Sequence, residues 1–101
     1  VKAMKGAFRP EYVKRLNGTH IKEAENKAEL VEQLREDIRN FKRDNGLERV
    51  VAVWCGSTEV YVEPADVHQS VEAFEKGLQN NDPSISNSQL YGWACIQEGV
   101  P

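Results

Sequence analysis

Apolar residues recur along this chain with two different periods, and the change from one to the other marks out its elements. Leu30, Val31, Leu34, Ile38 and Phe41 follow at steps of one, three, four and three, which is one stripe of an α-helix. Asn26 stands three residues before Glu29, a capping-box spacing that starts this helix, and Asn45-Gly46 ends it. Gly46 suits the left-handed position beyond the last turn, while Arg35, Arg39, Lys42 and Arg43 crowd the end where cations complement the helix dipole. The pattern predicts a helix from about residue 26 to 45 that buries Leu34, Ile38 and Phe41 on one side.

The period then changes. Val50, Val51, Ala52, Val53 and Trp54 form an unbroken, largely β-branched run, which predicts a parallel interior strand covered on both faces. Cys55, Gly56, Ser57, Thr58 and Glu59 interrupt it with small or polar residues, a loop at the strand's carboxyl end. After a weaker extended stretch at Val60, Tyr61 and Val62, Asp66 with Gln69 predicts a second helix carrying Val67, Val71, Phe74 and Leu78. Asn80, Asn81, Asp82 and Pro83 close it. A last helix opens around Ser86, with Gln89 at the capping-box position, and runs to Gly99. Before Glu25 the pattern is irregular: Gly6, Pro10 and the Asn17-Gly18 turn signal predict loop with one helical turn after Pro10.

Helix, buried strand, loop and helix make an α/β unit, and a strand apolar on both faces needs a strand on either side and helices above and below. Only one convincing strand is present. The chain is therefore expected to have been cut from a larger domain, or to fold only beside other chains, and its opening residue Val1, where a complete chain would start with Met, points the same way.

Composition removes several function classes. Thirteen basic and sixteen acidic side chains give a net charge of -3, interleaved instead of gathered into a basic stripe, so nucleic acid is not an expected partner. No apolar run approaches the roughly 20 residues of a membrane span, and no signal peptide opens the chain. A cytoplasmic location is expected. Cys55 and Cys95 lack C-x-x-C spacing and read as reduced thiols, and His20 and His68 share no metal-ligand spacing, so no metal site is expected. Glu59 and Glu63 read as solvated carboxylates, and Trp54 and Trp93 as packing residues. The G-x-G-x-x-G fingerprint of a complete dinucleotide fold is missing.

Two blocks carry a resemblance. The first comprises Arg35, Asp37, Ile38, Asn40, Phe41, Lys42, Asn45, Leu47, Val50, Trp54, Thr58 and Glu59; the second comprises Ser88, Tyr91, Ala94, Ile96, Glu98, Gly99, Val100 and Pro101. Both, in register and without gaps, resemble the inositol-3-phosphate synthases, also called myo-inositol-1-phosphate synthases. The likeness is good from about residue 28 to 58 and from 88 to 101, weaker between, and poor before residue 25.

That resemblance implies that residues 1–101 are part of an α/β, Rossmann-like dinucleotide-binding domain. It also implies the activity of the parent enzyme, an NAD-dependent isomerase of the intramolecular-lyase type. Such an enzyme converts glucose 6-phosphate to inositol phosphate by oxidation, aldol cyclisation and reduction, in inositol and phospholipid biosynthesis. It implies a homo-oligomer, a tetramer in the family, with no membrane partner. The enolate-stabilising lysines of the family belong to a later region, so no catalytic residue is assigned here and this chain alone is expected to be inactive.

The segment matching Cys55, Gly56, Ser57 and Thr58 contacts the dinucleotide in that family, which makes these four the implied NAD-binding residues. Thr58 keeps the family side chain, whereas Cys55, Gly56 and Ser57 replace Thr, Ala and Asn, and Val60 replaces Arg. Placement after a buried strand agrees, because ligands of open α/β sheets lie outside the carboxyl ends of strands. A loop of small residues there lets main-chain N–H groups approach phosphate or ribose oxygens. The alternative reading is a small non-catalytic α/β interaction module that completes its sheet with a partner.

Overall fold

The computed structural model describes residues 20–56 and 58–101. Among the described residues there are three α-helices, α1 (Lys27–Asp44), α2 (Val71–Gln79) and α3 (Asn87–Gln97), with a 3-10 turn at Asp66–His68 ahead of α2. The loop and helical turn expected over residues 1–19 lie outside the described residues.

Each helix starts on a side-chain cap and ends on a residue with positive φ. The Asn26 side chain accepts from the Glu29 N–H at 2.9 Å, while the Glu29 carboxylate accepts from the Glu25 N–H at 2.9 Å, one residue earlier than a strict capping box. Ser70 caps α2 by accepting from the Ala73 N–H, and Gln89 reaches back to accept from the Ser86 N–H at 2.8 Å ahead of α3. At the other ends Gly46, Asn81 and Gly99 take φ values of 60°, 57° and 63°. The following N–H closes each helix: Leu47 donates to the Lys42 carbonyl, Asp82 to that of Gly77, and Val100 to that of Cys95, all at 2.9 Å. All three are Schellman endings, which glycine or asparagine favours because the left-handed backbone suits few other residues.

The apolar stripe of α1 supplies Leu30, Val31, Leu34 and Ile38 to the core, where they meet Leu78 of α2, Ile85, Leu90 and Ala94 of α3, and Val100. Leu34 and Leu90 have no exposed surface. Phe41, expected in the stripe, is half-buried and is not among the residues packed on this core.

Two tethers hold α1 in place. Lys27 is buried, and its ammonium donates to the main-chain carbonyls of Asp82 and of Ile85, the latter at 2.6 Å. Asn81 accepts from the Lys27 N–H and donates to the Glu25 carbonyl, both at 2.9 Å. The α1 amino end is thereby fixed to the turn that leaves α2. Near the other end, Glu98 receives Arg35 at 2.8 Å and Arg39 at 2.7 Å, and Glu32 receives the same two guanidinium groups at 2.8 and 3.0 Å.

This clamp carries a pH signature. Hydrogen bonding from Arg39 first, and then from Arg35, outweighs burial and holds the Glu98 carboxyl below its usual value of 4.5. A carboxylate depressed in the folded state adds stability above the unfolded value, and that stability disappears as pH falls through the folded one. We therefore expect Glu98→Gln to lower stability near pH 7 and to flatten the loss that sets in below about pH 4.5. Parallel acid titrations of the two chains by circular dichroism check this; superimposable acid limbs would contradict it.

Two elements differ from expectation. The second helix is split: the Ala65 N–H is taken by the His68 ring at 2.9 Å, closing the 3-10 turn, and Ser70, not Asp66 with Gln69, caps α2. Val71 consequently falls in the first turn on the outer side, 54 % exposed, while Phe74 and Leu78 still face inward. The predicted buried strand at residues 50–54 is not formed among the described residues, and Val51 and Val53 are 73 % and 78 % exposed. No strand pairs with it among the described residues. One main-chain bond remains, from the Ala52 N–H to the Pro101 carbonyl at 2.8 Å.

Candidate functional site

The loop that follows this segment is flanked on both sides by contacts with one face of α3. Before the loop, the Trp54 indole rests on the Tyr91 ring, with centroids 5.1 Å apart and planes tilted by 46°. After it, Glu59 reaches the first turn of α3: one carboxylate oxygen accepts from the Ser88 N–H at 2.9 Å and the other accepts from the Ser88 hydroxyl. Ser88 and Tyr91 are three residues apart and therefore share a helix face.

Cys55, Gly56 and Thr58 lie between these anchors and are exposed; Ser57 is outside the described residues. Among the described residues no hydrogen bond engages the main-chain N–H of Cys55, Gly56 or Thr58. The loop thus offers unused donors to solvent. Gly56 has a specific reason to lack a side chain: a Cβ there would stand 2.4 Å from the six-membered ring of Trp54. The close neighbour that requires glycine is the chain's own indole.

Glu59 is exposed, as a solvated carboxylate should be, and in addition makes two contacts with Ser88. The first of those contacts satisfies one orphan main-chain donor at the α3 amino end, and together they place a negative charge where the helix dipole favours one. Local sequence reasoning could not reveal a cap supplied from 29 residues away. The signal that existed was the membership of Glu59 and Ser88 in the two motif blocks. The same holds throughout: Arg35 with Glu98, and Trp54 with Tyr91, pair one block with the other.

The remaining candidates have structural partners. His68 is held by the Ala65 N–H and by the Gln89 amide at 3.1 Å, and no group of three His, Cys, Asp or Glu side chains among the described residues could hold a metal ion. Cys55 is exposed, whereas burial pushes the Cys95 thiol up, which keeps it protonated and inert. Trp93 packs on Phe74 at 5.2 Å. An apolar groove of about 500 Å³ runs between the 3-10 turn, α2 and α3, lined by Val67, Val71, Phe74 and Trp93; the 55–58 loop does not line it. No helix among the described residues is long and apolar enough to cross a membrane.

Comparison with known proteins covers the whole chain. An NAD-binding family model described as myo-inositol-1-phosphate synthase matches residues 1–101. The chain is 50 % identical over 102 aligned residues to inositol-3-phosphate synthase 1 of Bacteroides thetaiotaomicron, covering 100 % of this chain and 24 % of that protein. It is 41 % identical over 81 residues to the inositol-3-phosphate synthase of Trypanosoma brucei brucei, covering 79 % of this chain and 15 % of that one. The crystal structure of inositol-3-phosphate synthase from Caenorhabditis elegans superposes with a TM-score of 0.84 at 25 % identity, over 96 % of this chain and 20 % of that chain. The chain thus spans about a quarter or less of the length of these relatives.

Proposed function

The chain belongs to the myo-inositol-1-phosphate synthase family, an NAD-binding family, and we propose that it supplies part of the NAD-binding domain of a larger inositol-3-phosphate synthase. Residues 1–101 form one portion of that Rossmann-like domain, within a cytoplasmic homo-oligomer acting on glucose 6-phosphate. The interaction-module alternative loses its support, because the likeness to enzymes extends over the full chain and not only over a shared helix-strand pattern.

The observation that carries the reading is the loop of Cys55, Gly56 and Thr58: these three are exposed, their main-chain N–H groups make no hydrogen bond among the described residues, they follow an apolar segment, and Trp54 and Glu59 on either side are fixed to α3. Such donors suit the oxygens of a dinucleotide's phosphates or ribose. The apolar segment supports it too. Its Ala52 N–H already bonds to Pro101 beyond two intervening helices, as a crossover between parallel neighbours would allow, and Val51 and Val53 await cover by the remaining sheet.

Bound NAD would accept a hydride from the sugar and return it after ring closure, so that the reaction is a net isomerisation. The role of this chain's residues is narrower. They hold and orient the dinucleotide through the loop, while α1 and α3 fix the loop's position through the core.

Isothermal titration tests this. The full-length protein should bind NAD and the isolated 101-residue chain should show no measurable binding, because its sequence has no G-x-G-x-x-G phosphate loop. Micromolar binding by the isolated chain, or none by the full-length protein, would overturn the assignment.

A further inference from the structure

We propose that Glu59 and Ser88 form a latch that holds the 55–58 loop in its NAD-binding position, making both of them positioning residues of the cofactor site. The proposal rests on the reading that this loop meets the dinucleotide.

Glu59 is the first residue beyond the loop, and both of its carboxylate oxygens are engaged by a single partner, Ser88, through the main-chain N–H and the hydroxyl. A two-point contact fixes the direction in which the chain leaves the loop as well as its distance from α3. At the other end, Trp54 lies on Tyr91, one turn further along the same face of α3. Cys55, Gly56 and Thr58 make no main-chain hydrogen bond among the described residues, and the two anchors fix the chain on α3 on either side of them. A loop ordered before the ligand arrives binds more tightly than one that must be ordered on binding.

The latch also assigns a sign. The α3 amino end is the obvious helix-dipole site for a phosphate nearby, but Glu59 already occupies it. If Glu59 only placed a negative charge near an anionic ligand, removing it would tighten NAD binding. If it is a latch, removing it weakens binding.

The test uses the full-length protein, with NAD titrations and with hydrogen exchange measured in the absence of NAD. Glu59→Ala should weaken NAD about tenfold. Ser88→Ala, which leaves the main-chain contact in place, should weaken it severalfold, and Ser88→Thr should restore it. Exchange should accelerate in the peptide covering residues 54–61 while peptides from α1 remain as in the unaltered protein. Unchanged or tighter NAD binding by Glu59→Ala would overturn the latch while leaving the NAD assignment standing. Faster exchange throughout α1 and α3, with a lowered melting temperature, would overturn it by showing a merely structural role. If the unaltered protein binds no NAD, the assignment falls first and the latch's role falls with it.

Discussion

Leu34→Ala should lower the stability of the folded unit by about 3–5 kcal/mol, enough to remove most of its cooperative unfolding transition. Leu34 has no exposed surface and stands in the middle of the α1 stripe, between Leu30 and Ile38 and within the cluster that includes Leu90 and Ala94 of α3. Truncation there loses the transfer free energy of the side chain and leaves a cavity that two helices tethered at both ends cannot close. Lys27 holds one end of α1 and Glu98 the other, so relaxation is limited. A stability of roughly 0.05–0.15 kcal/mol per residue leaves little margin for such a loss in a chain of this length. Urea titration followed by circular dichroism reads the effect. A loss below about 1 kcal/mol would mean that α1 and α3 do not share this core. Phe41→Ala is the informative companion: half-buried here, it should cost clearly less in this chain, and a larger cost in the full-length protein would report that another segment covers it.

Much of this architecture could be read from local chemistry. The α1 stripe, its Asn26 start and its Gly46 end depend on residues within a few positions of one another, and the structure places them as the pattern predicts, except that Phe41 is only half-buried. The ending at Asn81 and the Ser86-Gln89 start of α3 are equally local. Where local signals compete, the pattern misleads: Asp66 and Gln69 have capping spacing, yet the His68 ring takes the Ala65 N–H and Ser70 begins the real helix. What the pattern could not show is long-range. Glu59 on Ser88, Trp54 on Tyr91, and Lys27 in the carbonyl cage after α2 all link residues far apart in sequence. The apolar run at 50–54 predicts a strand covered on both faces, yet among the described residues it pairs with no strand, and Val51 and Val53 lie open.

The glycine of the candidate loop offers the sharpest functional outcome. In the full-length protein Gly56→Val should weaken NAD by at least about a hundredfold, roughly 2.7 kcal/mol, while Ser57→Ala should cost less than tenfold, under about 1.4 kcal/mol. The contrast follows if the loop binds through its main chain. Losing one hydroxyl then matters little, but displacing the backbone matters a great deal. Displacement is forced, because even the first carbon added at Gly56 would meet the Trp54 ring at 2.4 Å, and a β-branched side chain cannot turn away from it. Either the indole leaves Tyr91 or the loop lifts from α3. A double-mutant cycle separates this route from direct obstruction of the ligand. If the clash with the indole is the cause, Gly56→Ala should be far less harmful when Trp54→Leu is already present than when Trp54 is intact. If the added carbon blocks the ligand itself, Gly56→Ala should cost the same in both backgrounds. Equal and negligible effects of Gly56→Val and Ser57→Ala would place the loop away from the cofactor, and a severe loss with Ser57→Ala alone would assign the contact to its hydroxyl.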